Sequence, residues 1–198
     1  MSILLNHRYA LVFGFIVAIV LTLLIGDSAP NHLALARWLH TVAGVFWVGL
    51  LYYFNVVQVP ALAAASAAQD SLGGAAIAKY VAPPALFWFR WASVVTWVAG
   101  AWLLERGFVH AFTLGTMIEG GSQYFLTIGI GAWLGTIMLL NVWLLIWPNQ
   151  KKILGITPAT DEQKARARKI SLIVSRVNFV LSIPLLLCMT AATHGLPF

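Results

Sequence analysis

The chain has 198 residues, 61% of them hydrophobic and 9% charged, with a mean hydropathy of +0.87 and a formal net charge of +6. Soluble domains average about 45–50% apolar and about 25% charged residues, so this composition excludes a water-soluble globular domain and requires a surface that faces lipid. The positive charge gathers in one short connection between apolar stretches, which argues against nucleic acid as a partner, and the single cysteine, Cys188, excludes an internal disulfide or a CxxCH haem attachment within these residues.

Five apolar stretches, near 9–26, 33–62, 85–104, 124–147 and 170–193, are long enough at about 1.5 Å per residue to approach or cross a hydrocarbon core about 30 Å thick. They predict an all-α fold: an integral membrane bundle of five transmembrane helices forming a single domain over residues 1–198. The first follows a short basic start, His7 and Arg8, but its apolar run is longer than a signal peptide's, so it is read as a retained helix. The second connection is rich in Ala, Gly and Ser and closes with Pro83 and Pro84. The third, 105–123, holds Gly107, Gly115, Gly120 and Gly121 around a short apolar piece expected either to lie on the surface or to re-enter. The fourth carries Lys151, Lys152, Lys164, Arg166, Arg168 and Lys169. Positive charge stays on the cytoplasmic side of a bacterial inner membrane, so the expected amino terminus is cytoplasmic and the carboxyl terminus periplasmic.

That topology places His32, His40, His110 and His194 toward the outer side and His7 toward the inner. His40 lies one turn deeper than Arg37. His194 lies 18 residues beyond Arg176, roughly 27 Å along a helix, so His40 and His194 are expected at similar depths on two different helices. An ionisable side chain in a span costs a few kcal/mol without a partner and is a functional candidate by default. Neutral imidazole is the usual axial ligand of haem b, and His40, Gly44 and Trp47 share one helical face at i, i+4 and i+7. On this reading His40 and His194 ligate a haem iron, Gly44 clears space beside a flat macrocycle, and Arg37 meets a propionate. The competing reading makes His40 an inter-helix hydrogen-bonding residue and Gly44 an ordinary packing device. His32 and His110 are expected to be solvated loop residues. Asp27 and Glu119 are weak candidates to join the histidines around a metal ion.

A second polar group, Asn55, Gln58, Arg90, Asn141, Arg176 and Asn178, falls toward the inner side. Amides in lipid need partners, so these predict one hydrogen-bonded network tying four helices together, with an anion, quinone or porphyrin-carboxylate site as the sharper alternative. There is no Gly-rich phosphate loop, no HExxH and no convincing Ser/His/Asp set.

The blocks Leu39-His-Thr-Val-Ala-Gly-Val-Phe-Trp-Val-Gly49, Asn55-Val-Val-Gln-Val-Pro60, Ala85-Leu-Phe-Trp-Phe-Arg-Trp91, Met138-Leu-Leu-Asn-Val-Trp143, Ile146-Trp-Pro-Asn-Gln-Lys-Lys152 and Ser175-Arg-Val-Asn178 resemble the membrane region of the urate oxidase N-terminal family. The resemblance implies a small redox-associated membrane module. Fuller members carry further helices and a cytochrome c domain; these 198 residues hold no CxxCH, so urate oxidation itself is not expected of them. Histidine followed by Trp and Gly on an early helix, with Arg176, Asn178 and Pro184 on the last, is more loosely similar to the membrane-embedded protoporphyrinogen oxidase family. The expected function is a cytochrome b-like, haem b-binding protein for electron transfer, or an accessory subunit of a respiratory or oxidase complex with a cytochrome c or similar redox partner. A porphyrinogen or other small-molecule oxidase and a cofactor-free structural subunit are the alternatives, and a homo-oligomer is compatible with each.

Overall fold

The computed structural model describes residues 2–26, 29, 31–68 and 73–197, and among them there is no strand. The chain forms two compact units, Met1–His32 and Leu33–Phe198. The first holds α1 (His7–Ile25), whose Asn6 cap accepts from Arg8 N–H at 2.9 Å and which has no buried residue. Leu23, Leu24 and Ile25 are among its exposed apolar side chains, as a lipid-facing span requires.

The second unit contains α2 (His32–Tyr52) from its second residue on, α3 (Val59–Ala67), α4 (Gly73–Ala76), α5 (Ala82–Leu104), α6 (Phe108–Phe112), α7 (Gln123–Leu140), α8 (Trp147–Ile153) and α9 (Asp161–His194). Three wide π turns, Tyr53–Gln58, Ile77–Val81 and Asn141–Ile146, join α2 to α3, α4 to α5 and α7 to α8 without ending the helix. Each has the same cause. Pro60, Pro83 and Pro148 stand two residues beyond the three segments, and a proline inside a helix cannot donate to the carbonyl at i−4 and collides with it. The residue just before each proline instead reaches back five positions, as Val59 N–H does to Phe54 O, Ala82 to Ile77 and Trp147 to Val142.

Antiparallel α2, α5, α7 and α9 close a ring of four helices. Phe54 stacks edge-on against Phe89 at 5.5 Å, Trp97 Nε1 donates to Thr136 Oγ1 at 2.8 Å, Asn141 Nδ2 donates to Asn178 Oδ1 at 2.8 Å, and Ser182 Oγ pairs with the Tyr52 hydroxyl at 3.2 Å. The core enclosed by these contacts is built from Trp47, Leu51, Phe54, Leu86, Phe89, Met138, Val142, Ile146 and Leu185. Val45, Leu144, Val180 and Ile183 turn outward and stay exposed. Apolar faces on both the inside and the outside of a bundle are what lipid as solvent demands.

The structure moves several predicted boundaries. The second helix runs on to Ala67, because Ala61, Ala63, Ala64 and Ala65 are strong helix formers. The connection expected over 148–169 is mostly helical. Thr160 and Gln163 form a reciprocal capping box that starts α9 at Asp161, nine residues before the predicted start. The 105–123 segment folds back along α7: Trp133 Nε1 donates to Phe112 O at 3.0 Å, and the backbone of Ala111 lies against Gly129.

Candidate functional site

His40 projects from the regular part of α2 toward α5. Its Nδ1 lies 2.8 Å from the Thr96 carbonyl oxygen. A carbonyl only accepts, so Nδ1 carries the proton and Nε2 keeps its lone pair free of that bond. Thr96 turns its hydroxyl back to Ala92 O at 2.7 Å, and a Cβ built on Gly44 would meet the Thr96 methyl at an ordinary 3.8 Å. The space beside Gly44 is therefore filled by α5. One turn further along α5, Gly100 supplies the notch for the imidazole: a Cβ there would stand 2.9 Å from His40 Cε1 and 3.1 Å from Nδ1. Trp47, on the same face as His40, is 3% exposed in the core, and its Nε1 has no hydrogen-bond partner among the described residues. Arg37 is exposed, with its carbonyl accepting from Thr41 Oγ1 at 2.9 Å.

His194 is the last residue of α9 and is exposed; the helix stops at Gly195, whose φ of +86° leaves the helical region. Among the described residues no hydrogen bond or ring contact joins His40 to His194. Their depths nevertheless match. Counting outward from the Tyr52–Ser182 pair, twelve residues of helix lead to His40 on α2 and twelve to His194 on α9, roughly 18 Å each.

The remaining histidines divide. His32 opens α2 and is exposed. His110 departs from the expected solvated loop. It sits on α6, half-buried, with its ring 5.4 Å from that of Phe125 and its Nδ1 buried without a partner, because α6 is pressed against α7. Among the described residues no group of three His, Cys, Asp or Glu could hold a metal ion; Glu119 lies in an exposed turn, and Asp27 lies outside the described residues.

The polar residues toward the other end form separate contacts. Asn55, 1% exposed, donates through Nδ2 to Leu51 O at 2.8 Å and to Ser175 Oγ at 2.9 Å. Asn178, fully buried, accepts from Asn141 and donates to Met138 O at 3.1 Å. These bonds join α9 to the π turns of its two neighbours, where wide backbone makes room for amides. Arg90 stands apart, its guanidinium 3.4 Å from the centre of the Trp147 ring and its Nε buried without a partner, while Arg176 is exposed. Gln58 Oε1 is also buried and unpaired. Asn141→Ala and Asn178→Ala are expected to destabilise the bundle non-additively, with a coupling of about 1 kcal/mol in a double-mutant cycle of unfolding in mixed micelles.

Sequence reasoning did not identify Thr96 and Gly100 on α5, or Ser175, Tyr52 and Ser182. Thr96 and Gly100 are four apart and so share a helical face, but that spacing does not say which neighbour it meets.

Among the described residues four helices, His7–Ile25, His32–Ala67, Gln123–Ile153 and Asp161–His194, are long and apolar enough to cross a membrane, which together with their outward apolar faces is the pattern of a helical membrane protein. Residues 108–198 match the family model described as urate oxidase N-terminal. That stretch, a little under half of the chain, runs from α6 through α9; the resembling blocks around His40 and Arg90 lie outside it. No curated protein and no solved structure matches the chain, and the looser likeness to protoporphyrinogen oxidases finds no counterpart in these comparisons.

Proposed function

We propose that this chain is a membrane-embedded haem b-binding redox protein, acting in electron transfer or as an accessory subunit of a respiratory or oxidase complex. The observation that carries the reading is the His40 arrangement. Imidazoles that ligate metals nearly always donate their other ring N–H to a carbonyl or carboxylate, which fixes the tautomer and the ring plane. Thr96 O does this for His40, and the Gly100 notch holds the ring. The residues thus fit one axial position, with Nε2 as the ligating atom. His194, at matching depth, is the candidate for the second, and Arg37, one turn outward, the candidate to pair with a propionate. A bound haem would supply a one-electron couple; the chain's part is to hold the ligand, orient it and surround it with apolar side chains.

The topology that goes with this function has five spans, α5 being the third. Its 23 residues reach about 35 Å, and Arg90, Pro83, Pro84 and four tryptophans lower its mean hydropathy without shortening it. The basic residues around α8 and the start of α9 favour an orientation with that end in the cytoplasm of a bacterial inner membrane and the His40 end toward the periplasm, where a cytochrome c or a larger complex would exchange electrons. The urate oxidase N-terminal match supports a redox context.

The test is a visible spectrum of the detergent-purified protein before and after dithionite. A Soret band that sharpens and shifts on reduction, and is lost in both His40→Ala and His194→Ala, is the expected result. Wild-type protein expressed with ample haem yet carrying no chromophore would sink the proposal and leave a structural subunit.

A further inference from the structure

The end of the bundle away from His40 carries a groove that the redox reading does not use. α8 and the first turns of α9 form the walls of a half-open groove of about 310 Å³ lined by Asn149, Lys152, Gln163, Arg166, Ala167 and Ile170. The polar lining has a sign. Lys152 on one helix and Arg166 on the other contribute cations, and neither has a carboxylate partner among the described residues. Gln163 spends its carboxamide oxygen on Thr160 N–H at 2.9 Å, which leaves its NH₂ to donate. Ala167 is buried and Ile170 half-buried, so one wall is apolar.

The depth of the groove is marked by Trp147, at the start of α8. Its ring lies against the Arg90 guanidinium at 3.4 Å and 5.9 Å from Lys151 Nζ. A tryptophan between cations is characteristic of the membrane–water interface, where headgroup phosphates lie. Lys152 is five residues further along, and Arg166 precedes the apolar stretch that begins at Ile170.

We infer that this groove binds the phosphate of an anionic glycerophospholipid, gripped by Lys152 and Arg166 with the Gln163 amide as third donor and the acyl chains running back along Ile170. The α9 face at 163, 166, 167 and 170 is one face of the helix, whereas Arg168 and Lys169 point away from it. That geometry separates a built site from diffuse attraction, because equal charge can be removed on or off the groove.

The experiment reconstitutes the full chain in nanodiscs of phosphatidylcholine with phosphatidylglycerol and counts retained lipids by native mass spectrometry. Wild type is expected to retain phosphatidylglycerol in preference. K152Q/R166Q should lower that preference roughly tenfold or more, R168Q/K169Q should keep it, and the charge-conserving K152R/R166K should keep most of it. No preference in wild type, or an equal loss in both double variants, overturns the site. Displacement of the lipid by millimolar inorganic phosphate overturns its assignment to lipid in favour of a free anion. All four replaced residues lie at the half-buried or exposed surface, and an unchanged helical circular dichroism spectrum verifies that each variant folds.

Discussion

If His40 ligates a haem as proposed, Gly100→Ala is expected to purify as a folded bundle and yet to lose that haem as completely as His40→Ala would. The new methyl would stand 2.9 Å from His40 Cε1, closer than real contacts allow, and the atom it meets is the far end of a side chain. The ring yields and the helices stay. Losing the bond to Thr96 O costs about 1 kcal/mol, whereas alanine in place of glycine inside a helix returns about 0.8–1 kcal/mol, so stability should barely change. Nitrogen NMR of labelled histidine gives a readout independent of haem: wild type should show the Nδ1–H tautomer at His40, and the variant a mixture. A variant with full haem content and an unshifted His40 resonance would show that the notch does not position the ring.

The largest loss of stability is expected at Gly129. A Cβ there runs into the carbonyl of Ala111 and reaches Leu114 Cδ2 at 3.0 Å, so α6 and α7 touch backbone to backbone. Carbonyl groups cannot rotate aside as a side chain can. Gly129→Val should therefore separate the two segments and break the Trp133–Phe112 bond, at a cost of about 1–3 kcal/mol or more, read as a lower midpoint in detergent unfolding. Gly49→Ala, where a Cβ meets nothing within 4 Å, is the matched control and should be neutral or slightly stabilising. Equal losses in both would show that the close approach to Ala111 is not what Gly129 serves.

Much of the architecture could be read from apolar runs alone, since the long helices all coincide with predicted stretches. Ends were less legible. The basic residues before Ile170 looked like a solvated loop because their charge masks their helicity; the Thr160–Gln163 spacing was the signal that α9 starts earlier. The fold-back of 108–112 depends on a glycine meeting a carbonyl from another turn, which no local pattern announces. At the candidate site, His40 and its depth relative to His194 followed from counting residues, but its partners did not. Gly44 looked like clearance for a cofactor, and the structure fills that clearance with Thr96. The amides expected as one network resolve into an Asn55–Ser175 contact and an Asn141–Asn178 contact, with both arginines outside them.

The three wide turns also mark places where these helices lack an axial hydrogen bond. Tyr53–Gln58, Ile77–Val81 and Asn141–Ile146 all lie on the far side of the Tyr52–Ser182 contact from His40, and each precedes a proline that leaves one axial hydrogen bond unmade. Helices are softest in bending where such bonds are missing. From His40 to Tyr52, and from Thr96 to Leu104, the hydrogen-bonded ladder is unbroken. The spacing between His40 and Thr96 is therefore carried by two uninterrupted stretches of helix, whereas α9 has its own weak point on that side of the contact, at Pro184.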